Sequence, residues 1–141
     1  MECVDHICCK YITLSSSKSL LAPQMGSYEM TGIKKDNKPV YEHLQSKAYL
    51  FSVSKTYWLL GDDYRSVVGS AYGTGTEICP TVSQGWNVYE DKKWKKLDMI
   101  IKCGTEWTAW SRCDKSCGGG VQIRGRFDDK NDEIRDTKDC K

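Results

Sequence analysis

The sequence predicts an all-β, disulfide-stapled protein, with a β-rich aromatic domain at residues 1–102 and a thin, three-stranded second module at 103–141. Three observations carry this expectation. Short runs of β-forming residues recur between turn signals over the first hundred positions, the pattern of all-β folds. Eight cysteines, at positions 3, 8, 9, 79, 103, 113, 117 and 140, form an even set in a 141-residue chain, a length at which small modules need staples. Near Cys103-Gly104 the composition shifts to tryptophan, arginine, glycine and cysteine.

In chain order, the candidate strands are 11–15, 27–33, 39–43, 48–53, 56–60, 85–90 and 94–101. The polar run from Lys34 to Lys38 is a turn between the second and third, and Ser54-Lys55 suits a tight hairpin between the fourth and fifth. In 48–53, Tyr49, Phe51 and Val53 alternate with Leu50 and Ser52, which makes the Tyr49 face the expected core. The glycine-rich stretch 69–76 reads as a loop leading to Cys79-Pro80; no strand precedes it and no helix follows it, so it lacks the setting of a nucleotide fingerprint. Residues 86–94 read as a hairpin with a polar tip that lets Trp86 and Trp94 face each other. No internal repeat is visible. The stretches T-G-I-K-K-D-N-K-P-V-Y-E-H, Y-L-F and Y-W-L-L-G-D-D-Y resemble an aromatic-rich module of extracellular proteins of marine invertebrates, a likeness that implies no function.

Composition and motifs exclude several classes. A net charge of +2 is too small for nucleic acid to be the default partner. No run approaches the roughly 20 apolar residues of a membrane span. The opening residues do not resemble a signal peptide, so a secreted form would have lost its leader. Cysteine usage favours an extracellular setting over the cytosol. A zinc site would have to use Cys3, His6, Cys8 and Cys9, and adjacent Cys8 and Cys9 point in different directions. The two histidines, His6 and His43, lie near no nucleophile motif, so an enzyme is not expected. Asp62-Asp63 reads as a polar turn, since neighbours on a strand point to opposite faces. The loop Asp128, Asp129, Asn131, Asp132 and Glu133 offers carboxylates for calcium but lacks the glycine of an EF-hand loop, and no cofactor is expected.

From Cys103 the chain reads C-G-T-E-W-T-A-W-S-R-C-D-K-S-C-G-G-G-V-Q-I-R-G-R. The run W-x-x-W-S-x-C-x-x-x-C-G-G-G-x-x-x-R-x-R resembles the thrombospondin type 1 repeat, here shortened to residues 103–141. That resemblance implies Trp107 and Trp110 on a rippled strand, with Arg124 and Arg126 slotting between the indoles as cation–π layers. It implies a Cys113–Cys140 bridge. Cys103 is expected to bond into the first domain, to Cys79, Cys3, Cys8 or Cys9, and Cys117 to pair with the amino-terminal cysteines or another chain. It also implies C-mannose acceptors at Trp107 and Trp110 and an O-fucose acceptor at Ser116.

The expected function is non-enzymatic, lectin-like binding of carbohydrate or glycosaminoglycan ligands, with glycans, extracellular matrix or cell-surface glycoproteins as partners, and with self-association into a homo-oligomer left open. Lys92, Lys93, Lys95 and Lys96 surround Trp94 as a polyanion contact. Trp58, Asp62, Asp63 and Tyr64 form a candidate neutral-sugar pocket. The family's arginine-bearing front, here Arg124 and Arg126 with Lys115 nearby, is a third candidate. Two rival readings are a component of a disulfide-linked extracellular polymer and a defence or venom protein acting on cell surfaces.

Overall fold

A computed structural model of the chain describes residues 8–114 and 119–140. Cys3, His6, Lys115, Ser116 and Cys117 lie outside the described residues. Nine antiparallel strands form one sheet: β1 Tyr11–Ser15, β2 Gly26–Lys35, β3 Lys38–His43, β4 Tyr49–Val53, β5 Tyr57–Gly61, β6 Ala71–Thr74, β7 Gln84–Glu90, β8 Lys93–Lys96 and β9 Ile100–Cys103. The first eight follow one another as a meander, while β9 returns to pair with β1 at the far edge. That order forces curvature. Eight inter-strand steps would hold the β8 and β9 edges roughly 38 Å apart in a flat sheet, yet the four residues from Lys96 to Ile100 reach at most about 14 Å. The sheet therefore curls so that its two edges approach each other without pairing as strands. Side chains tie the seam: Lys18 Nζ meets Glu90 at 3.2 Å, and Asp98 accepts from Ser16 Oγ at 2.8 Å and from the Ser17 amide at 3.1 Å.

Turn chemistry explains the hairpins. Asp36-Asn37 and Asp91-Lys92 are two-residue loops with both residues at positive φ, the I′-like geometry whose twist suits flanking strands. Ser54 and Lys55 share that region of φ in a three-residue loop. The curled interior holds Ile12, Leu14, Tyr28, Tyr41, Leu50, Trp58, Leu60, Trp86 and Val88. The expected core face of β4 differs from this: Leu50 points inward, and Phe51 joins Val40 and Leu59 in a second buried cluster on the outside. Lys35 covers that cluster, lying 4.6 Å from the Phe51 ring and donating to the carbonyls of Tyr64 and Ser66. Both faces of β4 are thus apolar, so alternation alone could not choose between them.

Three further expectations change. The stretch 69–76 is not all loop, because β6 occupies its centre; Gly73 is there since a Cβ would collide with the Trp86 indole. Residues 94–101 are two strands separated by Leu97, which enters the core, and by Asp98 and Met99. Trp94 faces Tyr89, while Trp86 is buried inside: the two-residue turn fixes Tyr89 opposite Trp94, on the other face from Trp86.

At Gly104 the chain leaves the nine-stranded sheet, with φ +95° and the Phe127 carbonyl where a Cβ would lie. A second sheet pairs β10 Gly120–Phe127 with β11 Glu133–Cys140. Beside β10 runs segment 105–114, which forms the third layer without a regular ladder. Its amides at Thr105, Thr108, Ser111 and Asp114 donate to the carbonyls of Phe127, Gly125, Ile123 and Val121. Side-chain oxygens of the same four residues accept the amides of the same four partners, at 2.8 to 3.0 Å. Three residues of the rippled segment therefore span two of β10. The triplets T-E-W, T-A-W and S-R-C, followed by Asp114, are thus a short repeat, visible as one only through this hydrogen-bond pattern.

Disulfides join Cys8 to Cys79, Cys9 to Cys103 and Cys113 to Cys140. Each of the vicinal cysteines thus clamps a different part of the chain. Tyr11 of β1 stacks on Phe127 of β10 at 4.2 Å, joining the two sheets.

Candidate binding site

The triplet spacing places Trp107 and Trp110 on one side of the rippled segment, facing every second residue of β10. The Arg124 guanidinium lies 4.5 Å from the Trp107 ring and 4.6 Å from the Trp110 ring, between the two. Arg126 lies 5.2 Å from Trp107, and Lys138 of β11 lies 4.5 Å from Trp110. The resulting column runs Lys138, Trp110, Arg124, Trp107, Arg126. Each layer contributes about 0.5–2 kcal/mol, more where water is excluded. Arg124 also donates through Nε and Nη2 to Asp136 at 3.2 and 3.1 Å, which neutralises the central cation. The terminal cations, Arg126 and Lys138, have no carboxylate within 4 Å among the described residues. A 710 Å³ cavity opens between the column and the β2 end of the large sheet, bordered by Met25, Leu44, Glu106, Arg126 and Arg135.

Residues 105–141 match the family model of the thrombospondin type 1 domain. The carboxy-terminal segment carries the thrombospondin type 1 signature. No curated protein and no solved structure matches the chain. Thrombospondin type 1 domains are typically non-enzymatic binding modules, and the match at residues 105–141 is consistent with an extracellular binding role for that segment. The three disulfides are consistent with an extracellular protein. Among the described residues, no helix is long and apolar enough to cross a membrane.

Lys138 joins the column although it belongs to neither the W-x-x-W nor the R-x-R motif. Its signal is the register: Gln122 faces Lys138 and Arg124 faces Asp136, so Lys138 shares the arginine face. Only the pairing of β10 with β11 reveals this.

The other candidate residues separate. Trp58 is fully enclosed in the large sheet's interior, so it cannot contact a sugar, and the four-residue neutral-sugar pocket does not form. Its indole N–H has no hydrogen-bond partner among the described residues, and Lys38 Nζ lies 5.7 Å from its ring. Asp62, Asp63 and Tyr64 do line one shallow surface depression with Lys47, Tyr49 and Arg65. Asp63 accepts from the Arg65 amide and Nε, bonds that hold its carboxyl below the usual range. On β8, alternation splits the lysines instead of ringing Trp94: Lys96 shares the Trp94 face, whereas Lys93 and Lys95 point the other way. Lys95 is also occupied, 3.1 Å from Asp91 and 3.5 Å from Glu90, and these partners raise its pKa.

His43 serves structure. Its Nδ1 accepts the amides of Gln45 and Ser46 at 2.9 and 3.0 Å, leaving Nε2 to donate to the Met25 carbonyl at 2.7 Å. In the acidic loop, Asp128 Oδ1 accepts the amides of Lys130 and Asp132 and so closes its own turn; these bonds lower its pKa.

Proposed function

We propose that this protein is a secreted, non-enzymatic binding protein of two modules, dividing near residues 102 and 103, that recognises sulfated glycan chains of matrix or cell surfaces. The observation that carries this reading is the layered column, whose two end cations form no ion pair within 4 Å among the described residues. Stacking fixes the guanidinium plane of Arg126 and leaves its N–H edge free for a bidentate contact to a sulfate. Lys92 and Lys96 supply a second cationic area on the large sheet, beside the half-exposed Trp94.

Heparin affinity chromatography at two salt concentrations tests the reading. Retention should fall steeply with ionic strength, because exposed charges are screened. Arg126→Ala with Lys138→Ala should elute far earlier than Lys92→Ala with Lys96→Ala. Retention that is indifferent to salt and to the column variant would refute the proposal. Protein made in a glycosylating host should also gain hexose at Trp107 or Trp110 and deoxyhexose at Ser116, read by intact mass.

A further inference from the structure

On the outer face of β5 to β8, a second surface stands apart from the column. Val67 and Val68, in the loop between β5 and β6, are 73% and 71% exposed. With Tyr57, Leu59, Tyr72 and Trp94 they border a 470 Å³ cavity. Trp94 packs edge-on against Tyr72 at 4.8 Å and Tyr89 at 5.2 Å, and Tyr57 against Tyr72 at 5.9 Å. Contiguous exposed apolar surface rimmed by polar groups marks an interaction site. Lys92 lies at the turn two residues before Trp94 and Lys96 shares the Trp94 face of β8, and neither has a carboxylate within 4 Å among the described residues.

The chemistry of the lining selects the occupant. A sugar site needs several convergent polar side chains, and this cavity offers only tyrosine hydroxyls and one indole N–H. A membrane interface instead is layered: aliphatic groups enter the acyl region, Trp and Tyr sit at headgroup depth, and lysines meet anionic headgroups. Valine tip, aromatic belt and uncompensated lysines occur here side by side. We propose that the Val67-Val68 loop and its aromatic, lysine-bearing surround dock this protein on an anionic phospholipid surface. This activity goes beyond glycan binding and does not depend on it.

The test is co-sedimentation of the full chain with phosphatidylcholine vesicles, with and without about one third phosphatidylserine. Binding should require the anionic lipid, weaken with salt, and quench tryptophan fluorescence when the acyl chains are brominated. Val67→Asp with Val68→Asp should lower vesicle binding by about tenfold or more, since each valine loses its burial. Because both side chains are exposed, the same variant should keep wild-type thermal unfolding and heparin retention. Lys92→Glu with Lys96→Glu should also release the vesicles. The proposal is overturned if the wild type stays in the supernatant or if the double aspartate variant sediments like the wild type. It is equally overturned if that variant abolishes a concentration-dependent dimer or glycan retention in place of vesicle binding. Failure to bind heparin, by contrast, would sink the glycan reading alone.

Discussion

In the nine-stranded sheet Trp58 is fully enclosed among aliphatic and tyrosine side chains, whereas in the thrombospondin type 1 segment Trp107 stands 36% exposed between two arginines. The curled sheet buries a contiguous apolar interior, so Trp58 and Trp86 act by burial. The segment is too thin to enclose anything. Its indoles are instead covered by cations, and the polar ends of those cations remain at the surface. The difference teaches that the same residue type stabilises a region by leaving water, as Trp58 does, and equips one for recognition by staying partly in it, as Trp107 does.

Four measurements would break or sharpen this comparison. The largest effects concern the bridges. Cys9→Ser with Cys103→Ser opens a 94-residue separation and Cys113→Ser with Cys140→Ser a 27-residue one. With Cys8–Cys79 left intact the first closes a loop of only about 25 residues, so chain entropy assigns each bridge about 3.5 kcal/mol. Urea unfolding of both variants should show losses of similar size, with the first loosening the large sheet and the second only the column.

Next, Trp58→Ala should cost about 3–5 kcal/mol through its cavity, and Trp107→Ala, which removes two layers, about 1–3 kcal/mol. Equal costs would erase the distinction between burial and layering.

A smaller loss belongs to the rippled clamps. Thr108→Val keeps shape but strips the acceptor from the Gly125 amide, for about 1–3 kcal/mol if that amide stays dry. Hydrogen exchange at Gly125 should rise while β4 and β5 amides keep their protection.

The smallest effect is electrostatic and lies at the seam. Hydrogen bonds from Ser17, then Ser16, draw the Asp98 pKa down from 3.8 to about 2. A folded-state pKa below the unfolded one gives stability that is complete above about pH 4 and lost as pH falls through about 2. Asp98→Asn should therefore flatten the decline of the thermal midpoint across that window without altering the column's fluorescence.

Much of this architecture was legible in the chain. Six of the expected strands fall on observed ones because alternation and turn residues are local signals. The W-x-x-W and R-x-R spacing pointed to the stacked segment because each residue type there has its own geometric task. Harder to read was β6, where glycines look like a loop until the Trp86 indole is seen lying against Gly73. Lys138 was equally hidden, since its place depends on the register of β11. The candidate sugar pocket failed at Trp58 because strand β5 has apolar residues on both faces, and composition cannot say which face turns inward.

By itself, the sequence determined the all-β class, the staple-dependent build and the cation–indole chemistry of the last forty residues, because these follow from residue type and short-range spacing. Tertiary structure alone decided that Cys9 meets Cys103, that β9 closes the sheet against β1, and that Trp58 points inward while Trp94 points out. Those outcomes depend on how a curled sheet brings distant strands into register, which no local pattern encodes.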